Sequence, residues 1–258
     1  MLGDVYEVYE SRFSWLCRFL LRGRMRQMLT HPDHDSLPHF RDGKTEHLAR
    51  IIRDEFGAGL RRILVVGCGA GLEAAILAQE LGAQVVGVDP VTSFDPAVLH
   101  FVDLRQGDAT ALEFEDGSFD LVYSFHALEH IPRYRHALGE MRRVTAATGG
   151  CCIGTPNRER LVGYLGSKEA TRAEKFRWNL IDWRARLSGR FTNEEGAHAG
   201  FTAADLHTEL ARHFHVVNNI SARYYREIYS AHTGTINLLA RAGVSRFVFP
   251  AVYFLGRA

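Results

Sequence analysis

A short apolar run begins at residue 62 and ends in three alternating glycines. The glycines are Gly67, Gly69 and Gly71. Glycine lacks a Cβ, so a backbone that carries it can turn tightly and pass very close to a bound group. A glycine turn between a buried strand and a helix is typical of folds that bind a nucleotide-containing cofactor. The dinucleotide fingerprint has its third glycine one residue later, so this spacing disfavours NAD.

Acidic residues lie at the ends of the next two predicted strands. The second strand ends in Asp89, while Asp108 and Ala109 come just after the third. An acid at the end of the second strand is placed to accept hydrogen bonds from ribose hydroxyls. In an open α/β sheet, ligands bind outside the carboxyl ends of the strands. We therefore expect these residues at the same sheet edge as the glycine turn.

The segment after the fourth predicted strand carries groups that can move a proton. His126, Glu129 and His130 follow Ser124 and Phe125 closely. Histidine changes its charge near neutral pH, so either imidazole is a candidate general base. In a purely structural alternative, Glu129 and His130 only hold the loop through hydrogen bonds. We favour a histidine that acts as a base or orients the acceptor, which predicts His126, Glu129 and His130 as catalytic residues.

The order of these motifs resembles that of class I S-adenosylmethionine (SAM) dependent methyltransferases, over residues 45 to 155. The resemblance implies that the glycine turn lies against the methionine part of SAM. It also implies that Asp89 binds the ribose, and that Asp108 and the Ala109 backbone contact the adenine. The implied cofactor-binding set is Gly67, Cys68, Gly69, Gly71, Asp89, Pro90, Asp108, Ala109, Ser124 and Phe125.

The Leu128-Glu129-His130 element is similar to one in small-molecule "type 11"-like methyltransferases, including the O-methyltransferases of ubiquinone biosynthesis. An E-x-x-E-H pattern with a distant histidine can hold a divalent ion in those enzymes and in methyltransferases of small-RNA 3′ ends. Here histidine replaces the first glutamate, and the alternative metal set is His126, Glu129, His130 and His198. Three imidazoles and one carboxylate would favour Mn, Fe, Co or Zn over Mg. We do not favour a metal.

The favoured function is methyl transfer from SAM to an oxygen or nitrogen of a small molecule or of a glycan- or lipid-linked acceptor. A metal-dependent 2′-O-methyltransferase of RNA 3′ ends and a non-catalytic SAM-binding protein remain alternatives. The net charge of +1 provides no general field for binding nucleic acid. A nicotinamide-dependent oxidoreductase would need the other glycine spacing.

The pattern predicts a Rossmann-like α/β fold. We expect a doubly wound, mostly parallel seven-stranded sheet, with an antiparallel C-terminal strand and an N-terminal helical cap. One methyltransferase domain, 1–258, would contain the cap (1–58), the SAM-binding core (59–156), a lid or acceptor insertion (157–200) and a C-terminal helix and strands (201–258).

Apolar periodicity and turn residues predict the individual elements. The predicted helices cover 4–29, 44–56 and 136–147, and a further helix is N-capped by Thr202. The predicted strands cover 62–67, 84–89, 102–106, 119–124 and 150–155, followed by an antiparallel pair near 214–223 and 234–240.

The predicted lid is rich in arginine and tryptophan. In the family that the chain resembles, such an insertion usually covers the acceptor pocket. We expect Trp178 and Trp183 to line that pocket, and arginines such as Arg177 and Arg184 to suit an acceptor with phosphate or carboxylate. A lid that only completes the core is an equal alternative.

Composition indicates a globular cytoplasmic protein, with 46% hydrophobic and 24% charged residues. The four cysteines lack metal-finger spacing and are expected to be reduced thiols, with adjacent Cys151 and Cys152 on opposite faces of a strand.

No apolar run in the sequence is long enough to span a membrane. Peripheral membrane contact through the N-terminal positions Tyr9, Phe13, Leu16 and Leu20 stays open, as does a homodimer.

Overall fold

A seven-stranded sheet lies between two layers of helices in this computed structural model, which describes residues 39–163, 170–193 and 199–258. The strands are β1 (Arg62–Val66), β2 (Gln84–Asp89), β3 (Asp103–Gln106), β4 (Phe119–Phe125), β5 (Thr145–Pro156), β6 (Val216–Asn219) and β7 (Ala251–Arg257). The helices are α1 (Gly43–Phe56), α2 (Leu72–Leu81), α3 (Tyr134–Val144), α4 (Arg172–Leu187), α5 (Ala203–Ala211), α6 (Ser221–Ile228), α7 (Thr233–Arg241) and α8 (Ser245–Val248). Short 3-10 helices cover Leu128–His130 and Ser230–His232.

The strand order is β3-β2-β1-β4-β5-β7-β6, and this confirms the predicted fold class. Neighbours among β1 to β5 are parallel, whereas β7 is antiparallel to both β5 and β6. The order reverses direction between β1 and β4, where Ile63 pairs with Leu121 and Val65 with Tyr123. Open α/β sheets bind ligands at the carboxyl ends of the strands beside such a reversal.

Each face of the sheet carries its own apolar core, because successive side chains of a strand point in opposite directions. The first core packs helices α1, α2 and α6 against one face, with Leu48, Ile52 and Tyr224 fully buried. The second core packs α3 and α5 against the other face. Adjacent Cys151 and Cys152 lie in different cores, as the strand pattern predicts. Both are free thiols.

Two predicted boundaries in the centre of the chain are wrong. The helix predicted for 136–147 ends at Val144, and β5 begins at once with Thr145 instead of at residue 150. Thr145 is already extended, and its hydroxyl donates to the Met141 carbonyl at 2.6 Å, which satisfies one carbonyl of the last turn. The link between β2 and β3 contains only turns, in agreement with the short, proline-containing connection in the sequence.

The C-terminal prediction is also partly wrong. Residues 234–240 lie in helix α7, and the strand over 214–223 is reduced to β6 because α6 starts at Ser221. The strand that pairs with β6 is β7, an apolar run buried at all but its last residue. Its position between β5 and β6 requires an apolar strand, and the half-exposed α7 sequence could not fill it.

The predicted helix over 4–29 and the apolar positions within it lie outside the described residues. Of the helices that are described, none is both long and apolar enough to cross a membrane.

Arg143 fixes the loop that joins β3 to β4. Its guanidinium donates to the backbone carbonyls of Leu112 and Phe114 at 2.8 and 2.7 Å, and to the carboxylates of Asp116 and Glu140. These contacts hold down the pKa of Glu140 and satisfy carbonyls that no sheet partner reaches. One side chain thereby anchors the irregular segment that begins at Asp108.

The first turn of α2 contributes a carboxyl group to the interior. Glu73 lies beside the Tyr123 phenol of β4, and burial raises its pKa to about 8. The Asp42 carboxylate adds to the rise, whereas Tyr123 and Lys44 oppose it. A carboxyl group whose pKa is raised by folding binds its proton more tightly in the folded state.

We predict that Glu73→Gln removes part of the pH dependence of stability. The contribution of Glu73 to the free energy of unfolding is fully present below the ordinary carboxyl pKa of 4.5. It is lost as the pH rises through the folded-state pKa of about 8. Between these values the wild type should lose about 1.4 kcal/mol of unfolding free energy per pH unit relative to the variant. Urea unfolding at several pH values measures this difference.

Glu115→Gln is the matched control, because Glu115 is an exposed carboxyl group in the loop before β4. Its stability difference from wild type should not vary with pH in this manner. A flat difference for Glu73→Gln as well would contradict a buried, proton-binding Glu73.

Candidate active site

The glycine turn after β1 is shaped by one close approach. Gly67 has φ +76°, and a Cβ added to it would lie 2.2 Å from the Cβ of Ala127. Gly69 has φ +51°, but a Cβ there would meet no atom within 4 Å. Gly67 therefore allows the turn to touch the loop after β4, while Gly69 presents its backbone to open space.

Asp89 at the end of β2 holds the same turn from the other side. Its Oδ2 atom accepts from the Gly69 N–H at 2.8 Å, and its Oδ1 atom accepts from the Val91 N–H at 3.0 Å. The Val88 carbonyl accepts from Gly67 at 2.8 Å, which ties the turn to β2. A carboxylate has about four acceptor positions, so half-exposed Asp89 retains capacity for further donors.

Three other predicted cofactor-binding residues are placed differently. Cys68 is buried, and its side chain packs inward towards Gly87. Burial raises the pKa of its thiol to about 12, so it stays protonated, and only its backbone faces the turn. The Pro90 carbonyl accepts from Gln106 at 3.1 Å, which links the ends of β2 and β3. Ser124 is buried, and its hydroxyl makes no hydrogen bond among the described residues.

Asp108 and half-buried Ala109 lie just beyond β3, at the same sheet edge. The Thr110 N–H and hydroxyl donate to the Asp108 Oδ1 atom at 2.7 and 2.8 Å. These two bonds lower the pKa of Asp108, so the group is a fixed anion at neutral pH. Arg133 in turn donates to the Thr110 hydroxyl at 2.9 Å.

The side chains of His126, Glu129 and His130 lie close together beyond β4. The Glu129 Oε1 atom lies 3.4 Å from the Nδ1 atom of His126 and 3.9 Å from the Nε2 atom of His130. The Glu129 side chain is 1% exposed, whereas the two imidazoles are 42% and 51% exposed. Neither Glu129 oxygen has a hydrogen bond among the described residues. The geometry is that of a buried carboxylate beside two imidazoles that reach solvent.

The His126 backbone has an unusual conformation. Its φ is +51°, and within the described ranges it is the one residue other than glycine with a positive φ. A hydrogen bond from its N–H to the Gly154 carbonyl at 2.8 Å and edge contact of its ring with Phe125 at 4.2 Å hold it there. Phe125 is stacked on Tyr253 at 5.8 Å. A non-glycine residue held in this region costs about 1–3 kcal/mol and commonly marks a functional position.

The alternative metal set is incomplete in this structure. His198 lies outside the described residues, and within them no group of three or more histidine, cysteine or acidic side chains is arranged to hold a metal ion.

The predicted lid leaves the carboxyl end of β5 and forms α4. Its arginines divide into two groups. Arg158, Arg160 and Arg186 donate to backbone carbonyls, and Arg160 also pairs with buried Asp182 at 3.2 Å. Arg177 and Arg184 are exposed on α4. The arginines of the first group are occupied in holding the lid together. Binding of an acceptor therefore remains a prediction for Arg177 and Arg184.

Two residues that shape the site carry little signal in the amino-acid sequence. Ala127 contacts Gly67, but nothing in its type indicates a close approach between two loops far apart in sequence. Glu73 interrupts the apolar start of α2. A carboxyl group among apolar residues is the one feature of the sequence that points to a special environment for this side chain.

The methyltransferase domain family matches residues 64–153 of the chain, which span β1 to most of β5. This segment is a methyltransferase domain. The predicted resemblance to class I SAM-dependent methyltransferases is thereby confirmed for the part of the chain that contains the glycine turn, both acids and the His126 loop.

Curated relatives of the methyltransferase domain include enzymes named as O-methyltransferases. The chain is 31% identical to tocopherol O-methyltransferase of Arabidopsis thaliana, over 42% of this chain and 33% of the relative. It is 35% identical to ubiquinone biosynthesis O-methyltransferase of Rhodopseudomonas palustris, over 39% of this chain and 42% of the relative. The matches thus span less than half of these relatives' lengths.

A solved structure shares the fold over a longer stretch. Phosphoethanolamine N-methyltransferase 2 of Haemonchus contortus, in complex with phosphomonomethylethanolamine and S-adenosylhomocysteine, gives a TM-score of 0.51 at 19% identity. The likeness covers 81% of this chain and 52% of that one, so it supports the fold of most of the chain around the methyltransferase domain.

We predict that the contact between Gly67 and Ala127 can be shown by a double-mutant cycle. Gly67→Ala should cost about 3 kcal/mol, because it adds a positive-φ penalty to an overlap with the Ala127 methyl. Ala127→Gly removes the overlap, so the pair should show a favourable coupling of about 1–2 kcal/mol in urea unfolding.

Gly69→Ala provides the control, since its Cβ would meet no atom within 4 Å. It should cost only about 1 kcal/mol and show no coupling to Ala127→Gly. Equal coupling for both glycines would disprove the contact.

Proposed function

We propose that the chain is a SAM-dependent methyltransferase that acts on a small molecule or a lipid-linked acceptor, at oxygen or nitrogen. The observation that carries the proposal is the joining of Gly69 and Asp89 at the edge where the strand order reverses. Methyl transfer from SAM needs a cofactor-binding turn, and transfer to a hydroxyl benefits from a nearby proton acceptor. The His126 loop touches that turn through Ala127.

The residues at this edge fit SAM. Open space beside Gly69 leaves room for a bound group, and the remaining acceptor capacity of Asp89 suits ribose hydroxyls. Asp108 is a fixed anion on the neighbouring strand end, where it would accept from the adenine amino group. Phe125, supported by Tyr253, offers an apolar surface at the end of β4.

When bound, SAM supplies a methyl group on a positively charged sulfur, and an acceptor atom must attack it in line. Holding the two reactants in that alignment accounts for most of the barrier reduction that such a site needs. In this chain, exposed His126 or His130 would accept the proton that the acceptor atom loses. Buried Glu129, whose Oε1 atom lies near both rings, would stabilise the positive charge that the proton brings.

The class of acceptor is proposed from the relatives and from the site. Two relatives are named tocopherol O-methyltransferase and ubiquinone biosynthesis O-methyltransferase. Half-buried Phe125 contacts His126 and offers an apolar surface, which buried Tyr253 and Tyr224 support from behind. Such a surface suits an apolar, ring-containing acceptor better than a highly charged one.

We predict that SAM and S-adenosylhomocysteine bind the full chain and that Asp89→Ala weakens both by about a hundredfold. The loss reflects charge-assisted hydrogen bonds to ribose, each worth about 1.5–3 kcal/mol. Titration calorimetry on chelator-treated protein measures the dissociation constants, and a repeat with Mn²⁺ tests the alternative metal set.

Asp103→Ala is the matched control because Asp103 is an exposed carboxylate at the start of β3 whose pairing is with Arg105. It should bind SAM as the wild type does. No binding by the wild type, with or without Mn²⁺, would exclude the proposed function and leave the glycine turn a structural feature.

We predict that His126→Gln lowers kcat for methylation by about a hundredfold while the dissociation constant of SAM stays unchanged. The loss is that of a general base. Transfer of a labelled methyl group to a panel of simple phenols and hydroquinones supplies the rates, and His130→Gln shows which imidazole accepts the proton.

His100→Gln replaces an exposed histidine in the link between β2 and β3 and should leave kcat unchanged. If neither His126→Gln nor His130→Gln slows the reaction, the proposed base is wrong. If the wild type binds SAM but methylates nothing in the panel, the non-catalytic SAM-binding alternative gains support.

A further inference from the structure

Helix α4 exposes a continuous apolar stripe. Phe176, Leu180, Trp183 and Leu187 follow one another at steps of four, three and four residues, which places them on one side of the helix. They are 66%, 43%, 40% and 91% exposed. We call these four residues the α4 stripe. Single exposed apolar residues are common, but four aligned on one helix form a contiguous patch.

The orientation of the stripe is fixed by two buried polar residues on the adjacent side of α4. Asn179 is buried and exchanges hydrogen bonds with the Gly163 backbone, at 2.7 Å to its N–H and 3.3 Å to its carbonyl. Buried Asp182 pairs with Arg160 at 3.2 Å. Turning the helix to bury the stripe would break these contacts and expose a buried charge pair.

The patch extends onto the chain before α4. Leu161 and Val162 are 54% and 41% exposed, and the Leu161 carbonyl accepts from the Trp183 indole at 2.7 Å. This bond orients the Trp183 ring while its apolar part stays accessible. A tryptophan with a bonded N–H and an open ring is suited to the boundary between an apolar phase and water.

Basic side chains border the stripe. Arg177 and Arg184 each follow a stripe residue by one position, so they lie along its flank, and both are exposed. The helix also begins with an exposed basic residue, Arg172. Its two acids are already engaged, because Asp182 pairs with Arg160 and Glu174 closes the capping box at Thr171. The exposed side of α4 is therefore apolar and positively charged.

We propose that the α4 stripe docks onto the surface of an anionic phospholipid bilayer. Large apolar side chains beside arginines are the features of a helix that lies in the membrane interface, where the chains bury apolar area and the basic groups meet lipid phosphates. A nucleic acid would match the charge but not the leucines and phenylalanine. The proposal does not depend on the proposed function, since docking requires neither SAM nor an acceptor.

Vesicle sedimentation of the full chain tests the docking. The protein should bind vesicles of phosphatidylcholine with phosphatidylglycerol and bind vesicles of phosphatidylcholine alone much more weakly. The variant Phe176→Ser/Leu187→Ser should reduce the partition coefficient at least about tenfold, because it removes two large apolar anchors. The variant Arg177→Gln/Arg184→Gln should reduce it by a similar factor and weaken its salt dependence.

Matched controls replace residues of equal type and exposure on α7. Leu238 is 68% exposed, so Leu238→Ser loses a comparable apolar side chain, and Arg241→Gln loses one basic group from the end of the same helix. Both should bind vesicles as the wild type does. All substituted residues are exposed, and unchanged urea midpoints would show that the variants fold.

Three results would overturn the proposal. The first is no binding of the wild type to anionic vesicles. The second is binding that persists in the stripe variant, which would assign membrane contact to another part of the chain, such as Tyr9 and Phe13. The third is a wild-type dimer in sedimentation equilibrium that the Phe176→Ser/Leu187→Ser variant abolishes, which would show that a second copy covers the stripe.

Discussion

The absence of a side chain at Gly67 is the constraint on which the site depends. With any other residue, the turn after β1 and the loop after β4 would overlap at Ala127. Strands β1 and β4 are the neighbours between which the strand order reverses. Their carboxyl ends therefore bring the Asp89 carboxylate, at the end of β2, and the His126 imidazole, just after β4, to the same edge of the sheet. The missing Cβ atom of Gly67 thereby allows the glycine turn and the His126 loop to meet at one edge of the sheet.

The local sequence was sufficient to place a site residue wherever that residue directly follows or ends a predicted strand. Strands β1, β2 and β4 are short buried runs that end in glycine or polar residues, and parallel strands bring such ends together, so Asp89 and His126 could be placed near each other in advance. The positive φ of His126 and the raised pKa of half-buried Glu73 could not be predicted. Each results from contacts with residues distant in sequence, namely Gly154 and Tyr123.

The lid and the C-terminal part show two limits of composition and periodicity. An arginine-rich segment suggests a bound anion, yet a guanidinium satisfies backbone carbonyls equally well, and Arg158 and Arg186 do so here. The apolar spacing over 234–240 also fits a half-buried helix, which is what forms. The strand that completes the sheet is β7, and its need for a fully apolar sequence is evident only from its position between β5 and β6.

Adjacent Cys151 and Cys152 report separately on the two sides of the sheet. One thiol belongs to the core beneath α3 and α5, the other to the core beneath α1, α2 and α6. Burial raises the pKa of both thiols, so either one reacts with an alkylating reagent only after its own layer has opened. The labelling rates of two consecutive residues therefore compare the local opening of the two helical layers within a single molecule.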